Sequence, residues 1–405
     1  QKLLLTATPL QNSLMELYGL VSVVDPHIFG DPLSFREQFL RTPDEQGRNR
    51  LLQLRLKDIC QRTLRRQVLE YVRFTQRIPV TQAFFPSDHE QRLYEEVSEY
   101  LRRDHLYALP NGQRTLMTMV LRKLLASSSF AIGNTLDVLI QRLLGLQKDI
   151  PLTEQLRQDI DTVDELADEL EEEDDDKADK VDPIALSEEI RTLQGYLELA
   201  RQIQENAKGD ALVKALASAF ERAVRIGAPR KAVVFTESRR TQEYLYGLLT
   251  GQGYEGRVVM LNGSNNDATS GRILDAWRAR HADEGVTAGA RSVEVKAAIT
   301  EAFRDQAEIL LATEAAAEGV NLQFCSLVVN YDLPWNPQRV EQRIGRCHRY
   351  GQKHDVVVVN FLNQRNAADQ RVFQLLSEKF KLFEGVFGAS DEILGALESG
   401  VDIER

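Results

Sequence analysis

Residues 309–330 read Ile-Leu-Leu-Ala-Thr-Glu-Ala-Ala-Ala-Glu-Gly-Val-Asn-Leu-Gln-Phe-Cys-Ser-Leu-Val-Val-Asn, and the order of residue types in this stretch decides the fold class. Two short apolar runs, Ile309–Ala312 and Leu327–Asn330, bracket a loop of small and polar residues. A run without polar alternation suits a strand covered on both faces, as in a parallel sheet. Similar runs occur at residues 232–236, 258–261 and 356–360, most of them separated by segments of helical spacing. Strands interleaved with helices predict an open α/β fold, a parallel sheet with helices on both faces and function at the carboxyl ends of its strands. This unit is expected over residues 207–387, with 388–405 as a C-terminal tail. Residues 267–291 read as an insertion with one helix.

Upstream the pattern differs. Residues 2–6 form a short apolar run before Ala7-Thr8-Pro9, expected to be a buried strand ending in a loop. Residues 13–24 have helical spacing, and Asp25-Pro26 ends it. From 35 to 146 the spacing stays largely helical, notably at 51–69, 90–101, 116–125 and 136–146, with 76–85 as an extended stretch among them. A further amphipathic helix is expected over 184–203. The expected division is 1–30 as the end of a first α/β unit, then 31–206 as a helical region containing an acidic linker at 161–182.

A chain of 405 residues exceeds one hydrophobic core, so two or three units are expected. The net charge of −11 argues at first against a polyanionic partner. Residues 161–182, however, hold thirteen acidic side chains against two lysines, a balance of −11 that accounts for the whole excess. The remaining 48 basic and 48 acidic residues leave a neutral body that can gather cations on one face. The acidic run itself reads as a solvated stretch. Cys60, Cys325 and Cys347 are too few and too dispersed for a disulfide framework or a four-ligand zinc site, so a reducing cytoplasm is expected and no metal centre. No apolar run approaches the roughly 20 residues that cross a bilayer, so no membrane partner is expected. The chain opens in mid-strand without a methionine and is expected to be a piece of a longer protein.

The chemistry concentrates in Gln338-Arg-Val-Glu-Gln-Arg-Ile-Gly-Arg-Cys-His-Arg-Tyr-Gly-Gln352, preceded by the helix-start pair Asn336-Pro337. On a helix Arg339, Gln342, Arg343 and Arg346 fall at i, i+3, i+4 and i+7, along one face, with Arg349 one turn further. Aligned guanidiniums repel one another and call for an anion, and each offers a planar fork of donors to phosphate oxygens. Spacing alone leaves open a solvated basic helix paired through Glu341. In the loop after residues 309–312, Gly319 permits a turn that other residues resist. Thr313 and Asn321 there offer hydrogen bonds to phosphates without reading bases.

The arrangement Q-R-x-G-R-x-x-R-x-G-Q resembles motif VI of the superfamily-two helicases, and its trailing Gly-Gln resembles the SWI/SNF-type branch. Residues 313–323 resemble motif V, with Glu318-Gly319 closer to a bacterial HepA-like branch than to chromatin remodellers. Residues 231–238 resemble motif IV, and Leu261-Asn262-Gly263-Ser264 the strand-and-loop element that follows it. Residues 5–12 resemble motif III, while 60–67 and 121–125 resemble the helical protrusions of that family.

The resemblance implies a RecA-like C-terminal lobe, a helical insertion before it, and the tail of a first RecA-like lobe. It makes Arg346 and Arg349 arginine fingers and Gln342 the link between nucleotide state and lobe closure. Gly319, Asn321 and Arg343 then belong to the ATP side, and Thr6, Thr8, Asn262, Gly263, Thr313 and Glu318 to the nucleic-acid side. The implied cofactors are ATP and Mg2+. Neither a G-x-x-x-x-G-K-[ST] loop nor an Asp-Glu-x-His type acidic pair to hold magnesium occurs in the 405 residues. Both ligands are therefore expected to be held mainly by a lobe upstream of Gln1, and the chain alone is expected not to hydrolyse ATP. The implied partner is DNA, as a duplex contacted without regard to sequence. RNA, strand separation and a non-catalytic scaffold with the same fold stay open.

Overall fold

The computed structural model describes residues 2–4, 14–41, 45–57, 59–60, 75–103, 105–109, 114–145, 182–204, 206–282, 290–314, 319–334, 336–365, 370 and 374. Six strands form one sheet: β1 (Arg77–Phe84), β2 (Ala232–Phe235), β3 (Val258–Leu261), β4 (Ile309–Ala312), β5 (Leu327–Asn330) and β6 (Val356–Asn363). Their order across the sheet is β1-β6-β5-β2-β4-β3, and every pairing is parallel. The expected α/β fold is what forms.

Side-chain alternation in the strands feeds two cores. Val233, Phe235, Val259, Leu261, Leu310 and Ala312 point to one face. There they meet α10 (Ala268–Arg280), α11 (Arg291–Asp305) and α12 (Pro337–Cys347) through Leu274, Trp277, Ile299, Phe303, Val340 and Ile344. Ala232, Val234, Val258, Ile309, Leu311 and Val329 point the other way, onto α8 (Ala207–Arg225) and α9 (Arg239–Leu249) through Leu212, Leu216, Phe220, Leu245 and Leu249. With Leu310 fully buried at the centre, Leu310→Ala should lower stability by about 2–5 kcal/mol, read from denaturant unfolding, because the packed neighbours collapse only partly into the gap.

Two smaller cores precede and flank the sheet. One joins α1 (Leu14–Val24), α2 (Pro32–Phe35) with the wide turn Arg36–Leu40 that continues it, and α3 (Glu45–Leu56), around Leu17, Phe35, Phe39 and Leu52. The other packs α4 (Asp88–Tyr100), α5 (Arg114–Ser127), α6 (Ser129–Leu143) and α7 (Pro183–Gln202) around Leu93, Met117, Val120, Ile132 and Leu193. Local signals start these helices. Ser87 and Glu90 make a reciprocal capping box on α4, and Asp182 caps α7 ahead of Pro183.

The structure departs from or extends the sequence reading in three places. The extended stretch at 76–85 is β1, which lies beside β6 in the α/β sheet, outside the 207–387 boundary. The one helix expected within 267–291 forms at 268–280, and it packs into the main core through Leu274 and Trp277, a role the sequence did not reveal. Residues 2–4 are not a buried strand, since Leu3 is 83% exposed. A strand needs a neighbour for its backbone N–H and C=O groups, and none of the described strands pairs with these residues. Thr6, Thr8, Glu318, the protrusion at 61–67 and the acidic run up to 181 lie outside the described residues.

Candidate functional site

Parallel register sets the loops at one level. Phe235 lies opposite both Ala312 and Asn330, and Ala312 opposite Leu261, so the chain leaves β2, β3, β4 and β5 along one rim. After β3, Asn262 builds the turn instead of reaching outward. Its Oδ1 accepts from the Ser264 and Asn265 amides at 3.2 and 2.8 Å, and its amide nitrogen donates to Gln242 Oε1 at 2.9 Å. Asn265 closes the turn in the left-handed region (φ 43°), which an asparagine tolerates. The exposed tip is Gly263-Ser264. Beside it, the Thr313 amide donates to Leu261 O at 3.0 Å, which places Thr313 in one patch with Asn262 and Gly263. Thr313 is only 1% exposed, however, which corrects the expectation that it contacts nucleic acid. Gln242, fully buried, donates to Leu261 O and Leu311 O and so braces that patch from beneath.

After β5, buried Asp332 gathers four donors from three elements. Its Oδ2 accepts from Ser127 Oγ at 2.7 Å, Thr236 Oγ1 at 2.8 Å and the Glu237 amide at 3.0 Å, and its Oδ1 accepts from Lys208 Nζ at 2.8 Å. Burial alone would push the Asp332 carboxyl up, but Lys208 and these donors together hold it below its ordinary value of 3.8. Lys123 pairs with Glu237 at 3.1 Å, both buried, and Ser127 meets Thr241 at 2.7 Å. The α5–α6 junction is thereby fastened to the loop after β2, the segment that resembles motif IV.

Helix α12 starts from the same rim and runs down one face of the sheet. Val340, Ile344 and Cys347 form its buried stripe. Arg343 neighbours Val340 and Cys347 on the helix surface and is drawn in with them, to 1% exposure. Its Nε and Nη2 both lie 2.6 Å from Glu314 Oε2, and its Nη1 donates to Asn330 Oδ1 at 3.1 Å and Asp332 O at 2.7 Å. This corrects the expectation that Arg343 holds nucleotide: its guanidinium is consumed inside the lobe, where it ties the loop after β4 to the end of β5. The single arginine face is likewise split. Gln342 and Arg349 are exposed, while Arg339 and Arg346 are half-buried. Burial, and then the nearby charge of Arg343, hold the Arg339 guanidinium below its ordinary range.

The far end of α12 collects the remaining expected residues. The Leu322 amide donates to Arg346 O at 3.0 Å, which brings the exposed Gly319 (φ 76°) and Asn321 alongside Arg346. Arg349 Nε donates to Gly345 O at 2.8 Å, leaving the rest of its fork at the surface. Gln352, the end of the Gly-Gln pair, donates to Cys325 O and Cys347 O and accepts from the Lys353 and His354 amides, so it fastens this turn to the chain before β5. Two sets emerge. Asn262, Gly263 and Thr313 lie at the rim, and Gly319, Asn321, Arg346 and Arg349 lie down the side, an α-helix of eleven residues (about 16 Å at 1.5 Å per residue) connecting the two levels.

Sequence reasoning missed Lys123, Ser127, Lys208, Gln242 and Asp332. Lys123 lies in a segment noted only for its helical resemblance, and nothing local marks the others as buried polar groups. Asp332 and Ser127 are 205 residues apart, so only the tertiary fold reveals their contact. Among the described residues no group of three His, Cys, Asp or Glu side chains is placed to hold a metal ion, and no helix is long and apolar enough to cross a membrane.

Comparison with known proteins adds independent matches. Residues 1–131 match the SNF2-related domain and residues 208–351 the helicase conserved C-terminal domain. An uncharacterized ATP-dependent helicase of Bacillus subtilis, YqhH, is 29% identical over 398 residues, covering 98% of this chain and 56% of that protein. A zebrafish SWI/SNF-related matrix-associated actin-dependent regulator of chromatin, subfamily A containing DEAD/H box 1A, is 24% identical over 94% of this chain and 35% of its own length. The RNA polymerase-associated protein RapA of Serratia proteamaculans is 51% identical over 55 residues, 14% of this chain and 6% of that one. The chain thus spans about half the length of the Bacillus relative and about a third of the zebrafish one.

Proposed function

Because the chain belongs to the SWI/SNF-type (SNF2-related) branch of the helicases, we propose that it is the rear part of an ATP-driven motor that tracks along duplex DNA. In this reading a front lobe holds ATP and Mg2+, and Arg346 and Arg349 reach across to the polyphosphate from α12. Gly319 and Asn321 border the nucleotide beside them. Gly263 at the rim touches a phosphate of the track, with Asn262 shaping the loop that presents it and the buried Thr313 supporting that loop from within. Thr6, Thr8 and Glu318 complete the track side.

The observation that carries the proposal is the separation of the two sets. Guanidiniums at the side face of the lobe and donors at its rim serve two ligands at once, and α12 joins the two levels. Arg343, locked onto Glu314, Asn330 and Asp332, would transmit a pull on Arg346 to the loop after β4. Closure and release of such lobes, driven by binding and hydrolysis, is a known route to stepwise motion. Three to five orders of magnitude in rate is the usual contribution of an arginine finger.

Phosphate contacts without base contacts imply binding that ignores sequence and weakens steeply with salt. Log affinity for duplex DNA should fall linearly with log salt and differ by less than about threefold between sequences of equal length. In the polypeptide that carries this chain together with a P-loop lobe, ATP should drive displacement of a triplex strand without opening of a forked duplex. Fork opening at the same rate would replace translocation with strand separation. A cytoplasmic location suits a nucleic-acid motor of this kind.

A further inference from the structure

We propose that His348, fixed as its Nε2–H tautomer between Thr75 and Arg77, is a positioning residue for Arg346 and Arg349. The inference rests on the reading of those arginines given above. His348 is 2% exposed and lies one residue from Arg349 and two from Arg346. Its Nδ1 accepts from Arg77 Nε at 2.7 Å, and its Nε2 lies 2.6 Å from Thr75 O. A guanidinium only donates and a carbonyl only accepts, so both contacts are satisfied together by one form of the ring: neutral, with the proton on Nε2.

Arg77 has a second grip. Its Nη1 pairs with Glu341 Oε2 at 2.9 Å, and the Arg77 side chain is 6% exposed. Glu341 and His348 are i and i+7, two turns apart on one side of the helix, and the His348 amide still bonds Ile344 O at 2.8 Å as a continuation of α12. One guanidinium on the edge strand β1 therefore holds α12 at two levels and sets the direction in which its end points. β1 itself is held to β6 over eight residue pairs, and Asp355 Oδ1 accepts from the Gln76 amide at 2.8 Å at the same corner. Among the described residues, the charged side chains bonded at this corner include Arg77, Glu341 and, on the Gln76 side, Asp355, with Arg349 next along the chain from His348. A small rotation of the helix end moves a guanidinium away from the atom it must meet, and misplacement of about 1 Å costs on the order of a hundredfold in rate.

Two measurements test this. In the chain labelled with 15N-histidine, long-range imidazole correlations should show His348 with an unprotonated Nδ1 and a protonated Nε2 at neutral pH. An Nδ1–H ring, or rapid exchange between tautomers, overturns the proposal. In the polypeptide with a P-loop lobe, His348→Phe should lower kcat for ATP hydrolysis at least about tenfold, with KM for ATP changed by no more than about twofold. His348→Gln should return kcat to within about threefold of wild type, because its amide oxygen accepts from Arg77 while its NH2 donates to Thr75 O. A His348→Phe enzyme at wild-type kcat, or a folded His348→Gln enzyme as slow as His348→Phe, overturns the positioning role. If Arg346→Ala and Arg349→Ala were both at wild-type rate, the arginine reading would fail instead, and with it the purpose assigned to His348.

Discussion

Replacing Arg346 by alanine should cut ATP hydrolysis by about three orders of magnitude or more in the polypeptide that joins this chain to a P-loop lobe, while melting stays within a degree or two of wild type. The size follows from where the charge acts. A phosphoryl group in transfer spreads negative charge over its outer oxygens, and a guanidinium fork placed there lowers the barrier without having to reorganise. The small effect on folding follows from the position of Arg346, which is half-buried at the end of α12 and outside the stripe of Val340, Ile344 and Cys347. Arg343→Ala makes the contrast. That change removes the buried guanidinium that ties Glu314 to Asn330 and Asp332, so it should lower activity and stability together. Activity lost with stability kept separates an arginine that acts across a cleft from one that holds the lobe together.

Asp332→Ala should have the largest effect on folding, about 3–5 kcal/mol, or on the order of a 10 °C drop in melting temperature. Lys208 would keep its buried charge without the carboxylate 2.8 Å away, and Ser127, Thr236 and the Glu237 amide would lose their shared acceptor. The pH dependence has a defined sign. The folded Asp332 carboxyl lies below its ordinary value of 3.8, so its stabilisation is present above 3.8 and is lost as pH falls below 3.8 through the folded value. The gap in unfolding free energy between wild type and Asp332→Asn should therefore be constant near neutrality and close only below about pH 3.8. A gap that closed between pH 5 and 7 would mean that another group supplies the stabilisation. Because Asp332 also binds Ser127, the loss should reach the helical core: amides of α5 and α6 should exchange faster along with those of β2 and β5.

Much of the fold was legible because the signals were local and redundant. Each apolar run from residue 232 onward contains β-branched or leucine residues without polar interruption, and each became a strand covered on both faces. β1 was harder to place. Its sequence, Arg-Ile-Pro-Val-Thr-Gln-Ala-Phe, carries Pro79 and a partly exposed pattern suited to a sheet edge, but nothing in it names the strand 279 residues later that it pairs with. The arginine helix was legible in type and not in detail. Spacing placed Arg339, Gln342, Arg343 and Arg346 together, whereas the apolar stripe next to Arg343 drew that one residue inside. Asn262 illustrates a similar limit: an Asn-Gly pair signals a turn, and the turn consumes the side chain that the resemblance assigned to the track. Contacts such as Lys123–Glu237, Ser127–Asp332 and Arg77–His348 join residues more than a hundred positions apart, and local pattern carries no trace of them.

The claim on which the rest depends is that Arg346 and Arg349 meet the phosphoryl group during transfer, and binding of a transition-state mimic measures this without following turnover. With the P-loop lobe present, ADP with aluminium fluoride should bind Arg346→Ala at least about a hundredfold more weakly than wild type, while ATP affinity changes by less than about fivefold, because only the mimic carries the charge distribution that the fork stabilises. Equal affinity of wild type and Arg346→Ala for the mimic would contradict the account.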